Sequence, residues 1–111
     1  MASERQLKMA EEIRKHAAMF IESESTSQSL ITVTRADISP DFKNVIVFFT
    51  TIPENQQKTA LAFLTRKRKD LRDYLKKHLQ TRIIPFVDIM IDIGERNRQR
   101  IDQILSEDKN N

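Results

Sequence analysis

Glycine occurs once in the 111 residues of this chain, at Gly94, and that scarcity narrows its possible folds more than any other feature. Loops that cradle phosphates need several glycines, because only a residue without Cβ lets the backbone approach closely and take positive φ. A P-loop, a dinucleotide-binding fingerprint and the G-x-S-x-G elbow of hydrolases are thereby excluded. Cysteine is absent, which removes disulfide staples, thiolate zinc sites and a cysteine nucleophile, and points to the cytoplasm. The length fits one domain, expected over 1–106 with a polar tail at 107–111. The most apolar runs, such as Val45–Phe49 and Ile89–Ile91, fall far short of the roughly 20 residues a membrane span needs. The segment from Met1 to Lys8 carries charges of both signs and no apolar stretch, so no secretory signal is expected.

The hydrophobic spacing alternates between helical and extended periods. Ser3 is a candidate N-cap with Gln6 three residues on, and Leu7, Ala10, Ile13, Ala17, Phe20 and Ile21 then recur as the apolar face of a helix. That helix should fade in the polar run Glu22–Gln28, whose Ser and Thr side chains compete for backbone hydrogen bonds. Leu30 to Ile38 is rich in β-branched residues, Ser39-Pro40-Asp41 supplies turn chemistry, and Val45–Phe49 reads as a second strand. So short a connection predicts an antiparallel hairpin.

Pro53 and Glu54 suit the first turn of a helix whose buried stripe is Leu61, Leu64, Leu71, Leu75 and Leu79. Arg68 interrupts the stripe within Arg66-Lys67-Arg68-Lys69-Asp70. Either one helix carries a polar interruption or two helices meet there. After Pro85, Val87, Ile89, Ile91 and Ile93 alternate with Asp88, Met90 and Asp92 in the pattern of a half-buried strand, and a last short helix spans Arg98 to Leu105. The order is α-β-β-α(kinked or split)-β-α, an α+β fold with a three-stranded sheet packed against helices.

Charge is unevenly placed. Between Lys58 and Arg82 nine basic residues face two acidic ones, a net of +7, while the rest of the chain sums to −4. This arrangement suits a polyanion binder, although a charge run is also what a solvated helix face looks like. The candidate phosphate contacts are Arg66, Lys67, Arg68, Lys69, Arg72, Lys76 and Lys77, with Arg82, Arg96, Arg98 and Arg100 as outlying candidates. Arginine adds bidentate contact to phosphate and stacking on exposed bases.

Element order and several residues together resemble ribosome-binding factor A, a bacterial small-subunit assembly factor with a type II KH-like fold. The resemblance rests on the opening helix, on Ile31-Thr32-Val33-Thr34 running into Ile38-Ser39-Pro40-Asp41 and Val45–Phe48, on Leu64 and Leu71-Arg72 through Leu75, on Arg82-x-x-Pro85, and on Arg100-Ile101-Asp102 with Ile104-Leu105. It implies a non-enzymatic factor of ribosome biogenesis that binds the immature small ribosomal subunit and its ribosomal RNA, supports late rRNA processing and serves growth in the cold. Ribosomal proteins are further implied partners, and a monomer is expected when free. The family usually carries an Ala-x-Gly kink between its two middle helices, and here that position falls on Lys67-Arg68-Lys69. Long side chains at that place favour docking on folded RNA by shape and charge, with steep salt dependence and weak sequence preference. The alternative is a protein–protein adaptor that meets an acidic partner with the same face.

Other candidates weigh less. Asp88 and Asp92 are four residues apart on a strand, roughly 13 Å at strand rise, too far for an acid/base pair, and read as solvent-facing. His16 and His78 lie on different helices with no ligand pattern around them. Phe20, Phe48, Phe49, Phe63 and Phe86 read as core, Phe42 as a cap on the hairpin's end of the core, and Met9 and Met19 as flanks of the first helix. No nucleophile, base and oxyanion donor can be assembled, so no enzymatic activity, cofactor or metal is expected.

Overall fold

A computed structural model of the chain describes residues 2–24 and 30–94. Helix α1 runs Glu4–Glu24 and starts on a reciprocal capping box. The Ser3 amide donates to Gln6 Oε1 at 2.9 Å, and the Gln6 amide donates to Ser3 Oγ at 3.1 Å, which satisfies donors that have no intrahelical partner. Gln6 is buried as a result. Ile13, Ala17, Phe20 and Ile21 form the inward face, but Leu7 is 61% exposed. The expected stripe thus begins after Leu7.

Strand β1, Leu30–Ile38, pairs antiparallel with β2, Asn44–Ile52. The register slips between Val33 and Arg35, so Thr34 is the extra residue of a β-bulge. The bulge reverses the alternation: Val33 before it and Ala36 and Ile38 after it all reach the same core. The hairpin turn is bonded internally. Ser39 Oγ accepts from the Asn44 amide at 3.0 Å and donates to Asp41 Oδ1, which also accepts from the Lys43 amide at 3.1 Å. The Ser39 hydroxyl and then the Lys43 amide hold the Asp41 carboxyl below its usual range. Phe42 takes φ 62°, the left-handed region, and its half-buried ring packs on the core, as expected of a cap.

Pro53 stands at the N-cap of a 3-10 turn, Glu54–Gln56, and helix α2 follows at Gln57–Arg66. Helix α3 is Arg68–His78. The charged run therefore divides two helices, with Lys67 between them at φ −95° and ψ 5°. Strand β3, Phe86–Ile91, pairs parallel with β2, giving a mixed sheet in the order β1-β2-β3 with β2 central. Ile93 lies past the end of β3 and is 61% exposed.

The three α-helices among the described residues pack on one sheet face. Ile13, Ala17, Phe20, Ala60, Leu64, Leu71 and Leu75 meet Val33, Ala36, Ile38, Val45, Val47, Phe49, Val87 and Ile89 there. Central position explains why Val45–Phe49 is buried throughout. On the opposite face Ile46, Phe48 and Met90 form a smaller cluster, with the Arg35 guanidinium 3.9 Å from the centre of the Phe48 ring. The expected helix over 98–105 lies outside the described residues.

Candidate nucleic-acid interface

Side chains three and four positions apart share a helix face, and successive ones diverge. On α3, Leu71 and Leu75 point into the core, which places Lys69, Arg72 and Lys76 together on the flank nearer β3. They form a row roughly 10 Å long at helical rise. Lys69 and Lys76 make no ion pair or side-chain hydrogen bond among the described residues. Arg72 is half-buried and donates from Nη2 to the Ile84 carbonyl at 3.0 Å and from Nε to the Pro85 carbonyl at 3.2 Å. These acceptors are neutral, so its full charge remains.

The neighbouring cations are placed differently. Lys67 reaches Glu24 at 3.6 Å and Asp70 at 4.0 Å, with its ammonium 6.0 Å from the Phe63 ring centre. It clamps the break between α2 and α3 onto the end of α1. Arg68 bonds Asp88 at 2.9 Å, bracketing α3 to β3. Lys77 shares its face with Asp70 and Asp73, whose charges outweigh it. Arg66 ends α2, exposed and unpaired among the described residues. Arg82 lines a groove of about 1000 Å³ shared with Arg5 and Lys8 of α1, which also contains Glu12 and Asp41. Arg96, Arg98 and Arg100 lie outside the described residues.

Three features escaped the sequence reading. Phe86, expected in the core, is instead 65% exposed, and the Arg72 guanidinium lies 4.8 Å from its ring centre. The signal was present: if Val87, Ile89 and Ile91 point inward, strand alternation sends Phe86 outward with Asp88. Asp92, expected in solvent, keeps only 16% of its side chain exposed. It accepts from the Thr34 hydroxyl at 2.5 Å and the Gly94 amide at 2.9 Å, and lies 3.9 Å from Arg35. Burial pushes its carboxyl up, yet Thr34, Gly94 and Arg35 together pull it below its usual value. The two histidines, far apart in sequence, bring their rings to 5.5 Å, and Tyr74 stacks on His78 at 4.0 Å. Among the described residues no cluster of three or more His, Asp or Glu forms a metal site, and no helix is long and apolar enough to cross a membrane.

Comparison with known proteins agrees with this architecture. The family model of ribosome-binding factor A matches residues 5–105. A ribosome-binding factor A from Paramagnetospirillum magneticum is 34% identical over 94% of this chain and 77% of its own length. The crystal structure of ribosome-binding factor A from Thermus thermophilus superposes with a TM-score of 0.70 at 20% identity, covering 78% of this chain and 94% of that one. A Thermus thermophilus ribosome-binding factor A homology model fitted into the electron cryo-microscopy map of a 30S complex gives a TM-score of 0.67 at 20% identity, over 77% and 92% of the two chains. These neighbours share the KH-like α+β fold.

Proposed function

The chain belongs to the ribosome-binding factor A family, and we propose that it is a non-catalytic assembly factor that binds the immature small ribosomal subunit and its rRNA through the Lys69, Arg72 and Lys76 face of α3, with Arg66 beside it. Late rRNA processing in the cytoplasm is the process it supports, and small-subunit rRNA is its principal partner. The observation that carries this reading is the sorting of charge on α3. Lys69 and Lys76 have no carboxylate partner among the described residues, and Arg72 is held by carbonyls alone. Unpaired, converging cations on a rigid helix are what a phosphate backbone selects, because each phosphate met releases condensed counterions. The break between the helices offers no glycine loop, so contact is made by side chains reaching a folded RNA surface, and sequence preference is weak.

The test is co-sedimentation of the purified protein with mature and immature small subunits, alongside a Lys69→Glu/Lys76→Glu variant. Salt-sensitive binding that favours immature particles and disappears in the variant is the expected result. Undiminished binding by a folded variant removes this face from the mechanism. Capture that survives nuclease treatment of the complex favours a protein adaptor instead.

A further inference from the structure

An exposed phenylalanine at the edge of a sheet exposes apolar area to water without contributing to the core. Phe86 is 65% exposed at the first position of β3, an edge strand. Its backbone is fixed by the amide, which donates to the Lys43 carbonyl at 2.8 Å, and by pairing opposite Asn44. Its ring is backed by the Arg72 guanidinium, 4.8 Å from the centre. Arg72 is itself locked by the Ile84 and Pro85 carbonyls, so the pair is a preorganised platform whose remaining ring surface is open. Lys69 and Lys76 stand one turn away on either side of Arg72.

We infer that Phe86, backed by Arg72, is a stacking platform for an unpaired nucleobase of the RNA that the α3 cations hold by its phosphates. The inference rests on the rRNA-binding reading and adds to it a residue that carries no charge. Aromatic faces accept any base, because every base presents a π-face, and an adjacent guanidinium strengthens the stack. Single-stranded loops and bulges are where RNA supplies such bases. A base seated here lies beside Arg72, so one strand can place its phosphates along the Lys69–Lys76 row and its base on the ring. A purely apolar protein contact would not need a cation fixed against the same ring.

The experiment measures affinity for protein-free small-subunit rRNA across a salt series for wild type, Phe86→Ala, Phe86→Leu and Phe86→Trp. Phe86 is exposed, so the variants are expected to fold, and thermal melting verifies this. The alanine variant should bind about 5- to 150-fold more weakly, the range expected for one base–aromatic stack, with an unchanged salt slope because no charge is removed. Tryptophan should restore binding, and leucine, which keeps apolar area but has no π-face, should behave like alanine. Unchanged affinity in Phe86→Ala, or full rescue by leucine, overturns the stacking platform while leaving rRNA binding intact. A loss seen on whole subunits but not on protein-free rRNA overturns it in favour of a ribosomal protein at this ring. Failure of the wild type to bind either rRNA or subunits overturns the functional reading itself, and the platform with it.

Discussion

Removing Lys69 and Lys76 together, as Lys69→Gln/Lys76→Gln, tests how charge on this fold becomes affinity. The proposed interface counts four cations, Arg66 and the row of Lys69, Arg72 and Lys76, none of them paired with a carboxylate among the described residues. Each phosphate neutralised contributes about −0.7 to the log–log salt slope for single strands and about −0.9 for duplex, so four contacts give roughly −2.8 to −3.6. Losing two should flatten the slope by about 1.4 to 1.8. Lys67→Gln is the matched control, with the same chemistry within the same charged run. Its ammonium lies 3.6 Å from Glu24 and 4.0 Å from Asp70, already balanced, so its loss should move the slope far less. The assay is binding of small-subunit rRNA across a salt series, with thermal melting to show that each variant is folded. If Lys67→Gln flattens the slope as much as the double variant, the sorting of cations by their partners is refuted. A double variant that keeps the full slope refutes the placement of the interface on α3.

Three further outcomes follow from the fold. Ser3→Ala removes one half of the capping box that opens α1 and should cost about 1 kcal/mol, read as a lowered melting temperature. Leu75 is fully buried between α3 and the sheet, and Leu75→Ala should cost about 2.7–5 kcal/mol in denaturant unfolding, a large share of the roughly 5–15 kcal/mol that holds such a domain together. Asp92 has its carboxyl depressed below the ordinary 3.8, so its stabilising contribution is fully present above that pH and is lost as pH falls through the lower folded value. Stability measured against pH should therefore separate wild type from Asp92→Asn at neutral pH, and the two curves should converge below pH 3.8.

Local chemistry was legible wherever it decided the outcome. The Ser3 and Gln6 pair marks the start of α1, β1 occupies the β-branched stretch from Leu30 to Ile38, and Ser39-Pro40-Asp41 builds the turn whose hydroxyl and carboxylate bond the backbone they follow. The bulge at Thr34 is also written in the sequence, since the apolar positions shift from Ile31 and Val33 to Ala36 and Ile38. What could not be read is set by tertiary placement. That β3 pairs parallel beside β2 depends on where α2 and α3 carry the chain. Asp92 meets Thr34 and Arg35 only once that pairing exists. The contact of His16 with Tyr74 and His78 likewise needs α1 to lie against α3.

The break between α2 and α3 shows why a charged run in sequence differs from a charged surface. The family resemblance implies a glycine near this point, yet Lys67 sits at φ −95° and ψ 5°, the bridge region that residues with a Cβ adopt at turns, with its amide donating to the Leu64 carbonyl at 3.0 Å. No left-handed conformation is required, so no glycine is required. Once the helix restarts, residues that follow one another must point about 100° apart. Lys67, Arg68 and Lys69 therefore take three roles: the first clamps Glu24 and Asp70, the second bridges to Asp88, and the third has no ion-pair partner among the described residues. The row proposed on α3 is made by positions 69, 72 and 76, of which Lys69 alone belongs to the charged run 66–70, and Arg66 adds a second cation from that run. Reversing the whole run from Arg66 to Lys69 would break three structural ion pairs along with any RNA contact, and a loss of binding would then report on both. Lys69 and Lys76 are the pair whose removal reports on the interface alone.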